Sequence, residues 1–103
     1  MTRVIIPQQM THGNLCNLAE YGEIMYLFDT LDLVPAIQDN RLQEAISDRL
    51  LEVSFHAPLD FFAATGMMTL SHVVLATLVK QYGEINCLLY DRETKRYNMK
   101  RVG

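Results

Sequence analysis

Four groups of residues in this 103-residue chain have side chains suited to chemistry: His12-Gly13-Asn14, Asp29-Thr30, Thr65-Gly66 and Asp91. Each follows a short apolar run. A histidine titrates near neutrality and can act as a general base or a ligand contact. Beside Gly13 and Asn14, His12 can equally be a helix-entry residue whose ring bonds the backbone. No nucleophile can be paired with it from spacing, so no residue is assigned a catalytic role. Thr65-Gly66 combines close backbone approach with the amino end of the helix that follows, where unpaired N–H groups and a positive dipole end favour an anion. The competing reading is that these two residues simply turn the chain and cap that helix.

The familiar signatures are absent: no GxGxxG, P-loop, HExxH, CxxC or Gly-x-Ser-x-Gly elbow occurs. Three histidines and twelve carboxylates are present, but none stand at metal-ligand spacing on one helix. No metal and no cofactor is therefore expected. Cys16 and Cys87 lie in apolar surroundings and read as small buried hydrophobes of a reducing compartment. Asn14 and Asn17, one turn apart, read as a polar pair facing water. His72 reads as a packed or solvated histidine, and His56 carries no signal. Adjacent Met67 and Met68 are gap-fillers or line a self-association contact.

The elements that position these groups follow from periodicity. Val4-Ile5-Ile6 is a first strand, stopped by Pro7, which cannot donate to a ladder. Asn14 to Tyr21 has helical spacing, with Gly22 as its C′ terminator. Glu23 to Phe28 is an apolar strand, followed by a loop over residues 29–40. Asn40, with Gln43 three positions on, reads as the capping box of a helix whose stripe is Leu42, Ala45, Ile46, Leu50 and Val53. Phe61 to Ala64 is a third strand. A helix over 69–82 follows, stopped by Gly83, with Ser71, Val74, Leu75, Leu78, Val79 and Tyr82 on one face and Thr77 opposite. Ile85 to Tyr90 is a fourth strand, Asp91 to Lys95 a hairpin loop, and Arg96 to Val102 an antiparallel edge. The order is that of a small three-layer α/β domain: a mainly parallel sheet of four to five strands, a C-terminal antiparallel hairpin and about three helices. In such sheets ligands sit beyond the carboxyl ends of the strands. Parallel strands would bring His12, Asp29, Thr65 and Asp91 to one rim.

Half the residues are apolar and a fifth are charged, a globular composition of one-domain size. The net charge of −3 argues against a general nucleic-acid binder. It is uneven: residues 1–90 hold ten acidic and four basic side chains, whereas residues 91–103 hold five basic and two acidic. That final hairpin is a solvated, charge-protected edge or a patch for an acidic partner or phosphate. The apolar stretch over residues 67–79 falls short of a membrane span, and the first residues lack a signal-peptide core, so no membrane partner and a cytoplasmic location are expected.

The residues His12-Gly13-Asn14-Leu15, Asn17-Leu18-Ala19, Tyr21-Gly22, Tyr26-Leu27-Phe28, Thr65-Gly66, Leu89-Tyr90-Asp91 and Arg96-Tyr97 resemble a set of small uncharacterised proteins of bacteriophage and environmental origin. The resemblance spreads over most of the chain. It implies an accessory viral or mobile-element protein and carries over no catalytic residue. Three functions are compatible with the sequence. The first is a non-enzymatic binding or interaction module, a homo-oligomer, using the strand-end rim for a small anionic ligand or the apolar helix faces for a partner. The second is a small enzyme acting on a phosphorylated or nucleotide-like compound. The third is a nucleic-acid contact through the basic hairpin.

Overall fold

The computed structural model describes residues 2–8, 17–28, 41–57, 59–65 and 68–103, with Met68 and Thr69 as backbone only. Strands β1 (Arg3–Gln8), β2 (Glu23–Phe28), β3 (Phe61–Ala63), β4 (Ile85–Asp91) and β5 (Arg96–Val102) form one sheet in the order β2-β1-β3-β4-β5. Neighbours among β1 to β4 run parallel, and β5 returns antiparallel to β4. Two helices, α1 (Leu42–Glu52) and α2 (Met68–Tyr82), and a 3-10 turn (Leu18–Glu20) complete the described elements. The mostly parallel sheet and terminal hairpin are the architecture expected from the order of apolar runs, with two helices and a 3-10 turn among the described residues.

Strand order fixes which face each connection covers. The chain moves one way from β1 to β2, then the other way from β2 to β3 and β4. Right-handed crossovers must therefore place the first connection on the opposite face from the later two. The core divides accordingly. Ile5, Phe62, Ile85 and Cys87 point toward Ile46 and Leu50 of α1 and Leu70, Val74 and Leu78 of α2. Val4, Ile6, Ala63 and Leu88 point the other way, against Leu18 of the 3-10 turn and Tyr97 of β5. Alternation along each strand sends successive side chains to these two cores. Full burial of a side chain such as Phe62 or Leu78 contributes about 1.5–3 kcal/mol.

Several local expectations are corrected. Pro7 does not end β1, which continues to Gln8. The β1–β2 ladder skips Pro7, pairing Ile6 with Tyr26 and then Gln8 with Phe28. By the Ile5–Phe62 register, β3 ends level with Ile6, so the strand on that side no longer calls on the missing donor. The described end of the expected first helix is the 3-10 turn, and residues 14–16 lie outside the described residues. Gly22 has no left-handed backbone. It is needed for close approach instead: a Cβ there would stand 2.5 Å from the Thr2 carbonyl oxygen. Gly83, at φ 85°, is the left-handed stop expected after α2.

Helix α1 starts one residue later than a cap at Asn40 requires: its N-cap is Arg41, with no side-chain capping bond. Its other end is the better built. Ser54, at φ 55°, holds the left-handed position, Phe55 N–H donates to Leu50 O at 3.2 Å, and Ser54 N–H donates to Leu51 O at 3.1 Å. This is a Schellman termination with serine where glycine is usual, and Phe55 and Leu50 share the same core. In α2 the buried face includes Thr77 as well as Leu70, Ser71, Val74 and Leu78. Thr77 can be buried because its hydroxyl donates to Val73 O at 2.8 Å.

Candidate functional site

The four parallel strands end on one rim at Gln8, Phe28, Ala63 and Asp91. β1 is central, with β2 on one side and β3 on the other, so connections leaving the rim diverge between β1 and β3. That is the topological position at which open α/β sheets hold ligands. Of the residues singled out for it, His12, Gly13, Asn14, Asp29, Thr30 and Gly66 lie outside the described residues. Thr65 and Asp91 can be placed.

Thr65 is half-buried two residues beyond β3, and its carbonyl accepts a 2.9 Å hydrogen bond from the Ser71 hydroxyl. That bond ties the first turn of α2 back to the end of β3. Asp91 belongs chiefly to its own hairpin. Its Oδ1 accepts from Glu93 N–H at 2.9 Å, its Oδ2 from the Asn98 amide at 3.5 Å, and its carbonyl from Lys95 N–H at 2.7 Å. Lys95, at φ 57°, supplies the left-handed residue that closes the turn. The Ala63–Leu88 register leaves β4 running three residues past β3. At a strand rise of about 3.3 Å per residue, Asp91 stands about 10 Å beyond the β3 end.

The most developed polar constellation among the described residues sits at the other end of the sheet. The Arg3 guanidinium meets the Asp60 carboxylate side-on, Nη2 to Oδ2 at 2.7 Å and Nε to Oδ1 at 3.3 Å. It also donates to Val53 O at 2.6 Å and Ser54 O at 2.9 Å, the carbonyls just past α1. The His56 amide donates to Asp60 Oδ2 at 2.8 Å. The Asp60 side chain is only 2% exposed. Burial pushes its pKa up, but the Arg3 and His56 hydrogen bonds and the Arg3 charge prevail and hold it below the usual carboxylate value of 3.8. Sequence reasoning missed this pair. The available signal was positional: Arg3 and Asp60 each immediately precede an apolar run, and the Val4–Phe61 register puts them level.

A second missed tie spans the sheet. Asn17, expected to face water, is 7% exposed. Its Oδ1 accepts from Tyr97 N–H at 2.7 Å and its Nδ2 donates to Tyr97 O at 2.9 Å. The Tyr21 hydroxyl donates to the same carbonyl at 3.2 Å, and Arg96 pairs with Glu20 at 2.7 Å. One side-chain amide thus does what a neighbouring strand would do for the outer edge of β5. At the opposite edge, Arg49 Nε donates to Leu27 O of β2 at 2.5 Å.

Open hollows flank this framework, two of them beside its polar residues. One, of about 470 Å³, lies at the amino ends of the strands and is lined by Phe55, His56, Tyr82, Glu84 and Arg101. The other, of about 440 Å³, lies beside the hairpin and includes Leu89, Arg92, Asn98 and Lys100. Among the described residues no group of His, Cys, Asp or Glu is arranged to hold a metal ion, and no helix is long and apolar enough to cross a membrane. Cys87 is buried at the centre of β4, and burial alone pushes its thiol up to about 11.

Sheet order, crossovers and hairpin define a small α/β protein with a mostly parallel five-stranded sheet. Within that class the chain belongs to the family of phage Pam3 gp32-like proteins, which it matches over residues 2–102. The resemblance to uncharacterised phage proteins is thereby borne out. No curated protein and no solved structure matches the chain.

Proposed function

We propose that this domain acts by binding, as an accessory protein of a phage, and holds a small anionic ligand at the rim where the connections from β1 and β3 part. The observation that carries this reading is the strand order, which turns back across β1. Two supports accompany it. The chain leaves β1 toward His12-Gly13-Asn14 and leaves β3 toward Thr65-Gly66, so both segments start from adjacent strand ends. The Ser71 bond to Thr65 O fixes the start of the β3-to-α2 connection against its helix. Asp29-Thr30 and Asp91 would border the same rim, with Asp91 on the projecting hairpin.

Titration of the isotopically labelled protein with inorganic phosphate and with a mononucleotide tests the reading by amide chemical shifts. Shifts grouped over residues 8–14 and 63–68, lost in His12→Ala, are the expected result. Shifts scattered over the surface, or none in the millimolar range, end it. Self-association belongs to the same reading, because Leu51 is 72% and Leu59 is 50% exposed. Light scattering after size exclusion should show more than one copy, and Leu51→Ser should return a monomer.

A further inference from the structure

We infer that the outer edge of β5, from Asn98 to Val102, is a docking strand for an acidic extended peptide segment of a partner protein. This surface is separate from the strand-end rim, and the inference does not depend on a ligand there.

The two bonds to Asn17 show that Tyr97 N–H and C=O point away from β4. In an antiparallel edge strand this direction recurs at every second residue, so Met99 and Arg101 also turn N–H and C=O outward. Asn17 covers the edge at Tyr97, and among the described residues no side chain does the same at Met99 or Arg101. A bare edge of this kind is a template for another strand.

Side chains then decide what can pair there. Lys100 is exposed and has no carboxylate partner among the described residues, whereas Arg96 is paired to Glu20 and Arg101 to Glu84. Lys100 lies on the same side of the hairpin as Leu89 and Asn98, beside the hollow that also includes Arg92. On the other side Met99 is 45% exposed. A second copy of this chain fits poorly. The symmetric antiparallel pairing that uses Met99 and Arg101 of both copies sets Lys100 directly against Lys100, a like-charge pair that destabilises a ladder. The pairing centred on Met99 needs the Tyr97 groups that Asn17 already holds. A partner strand with Asp or Glu opposite Lys100 has neither problem. Lys100 excludes copies of its own chain and selects acidic strands by the same charge.

The probe is a short blocked peptide of alternating Glu and Thr, with a Lys/Thr peptide as its counterpart. Titrated into the labelled protein at low salt, the Glu/Thr peptide should shift the amides of Met99 and Arg101 and slow their hydrogen exchange. Lys100→Glu should weaken it by about tenfold or more and transfer the preference to the Lys/Thr peptide. Met99→Pro should abolish binding while leaving the β4–β5 ladder intact, because it removes only the outward donor of an edge strand. Equal binding of both peptides overturns the inference. So does the absence of any shift at Met99 and Arg101 at millimolar peptide, or edge shifts produced by an oligonucleotide and not by the acidic peptide.

Discussion

Arg3–Asp60 and Asn17–Tyr97 both tie a residue near the start of the chain to one far along it, yet they use opposite chemistry. The first is a charged pair at the amino ends of β1 and β3, sealed so that the Asp60 side chain is 2% exposed. The second is a neutral amide lying across the edge of β5. Two buried charges have to recover a desolvation cost through geometry and additional hydrogen bonds, and Asp60 does so with three donors. A side-chain amide matched to a backbone N–H and C=O carries no such debt. The comparison teaches that the charged tie should be the more costly to break and the only one sensitive to pH.

Breaking the charged tie has the largest expected effect. Asp60→Ala strands the Arg3 guanidinium and should cost about 3 kcal/mol, at the low end for a broken buried pair because Arg3 keeps some solvent contact. Urea unfolding measures it, and a loss under about 1 kcal/mol would mean that Arg3 relaxes freely into water. The sign of the pH dependence follows from the lowered carboxyl pKa. The stabilisation is fully present above the unfolded carboxylate's pKa and is lost as pH falls through the depressed folded value. The stability difference between wild type and Asp60→Asn should therefore be flat above about pH 5 and shrink steadily below it. A difference that grows on acidification would contradict the assignment.

Asn17→Ala should cost about 2 kcal/mol at any pH, since it leaves Tyr97 N–H without its partner and Tyr97 C=O with the Tyr21 hydroxyl alone. Asn17→Asp sharpens the contrast. One carboxylate oxygen still accepts from Tyr97 N–H, but the other faces the Tyr97 carbonyl. Its pKa should therefore rise, and this variant should gain stability on mild acidification where wild type does not. Ser54→Gly relieves the left-handed serine whose carbonyl Arg3 caps, and should add about 0.5–1 kcal/mol. The smallest change belongs to Glu20→Gln. The Glu20–Arg96 pair is more than half exposed, so its loss should cost about 0.5 kcal/mol or less and fade with added salt.

Local pattern made part of this architecture legible. Glu23 to Phe28 and Arg96 to Val102 have the bounds read from the sequence, because apolar runs and turn residues delimit them without outside help. Gly83 ends its helix as expected for the same reason. At Pro7 and Gly22 a distant neighbour decides the outcome, which no local pattern contains. β3 is too short to need the Pro7 donor, and Thr2 crowds Gly22; Asn40 lies outside the described residues, and α1 starts from an N-cap at Arg41. The two polar ties join residues 57 and 80 positions apart, so no window of sequence contains them. Of the candidate site, the common direction of the strands was legible from the alternation of elements. The engagement of Asp91 with Glu93 and Asn98 was not, since it depends on how the hairpin closes.

Cys87 gives the sheet an internal clock. A thiol held near 11 has almost no thiolate at neutral pH, and its place in the central core keeps reagents away. Alkylation at this position must wait until β4 separates from α1 and α2. In a Cys16→Ser background the labelling rate would count those openings one by one, timing how often the middle of the molecule comes apart while its surface stays intact.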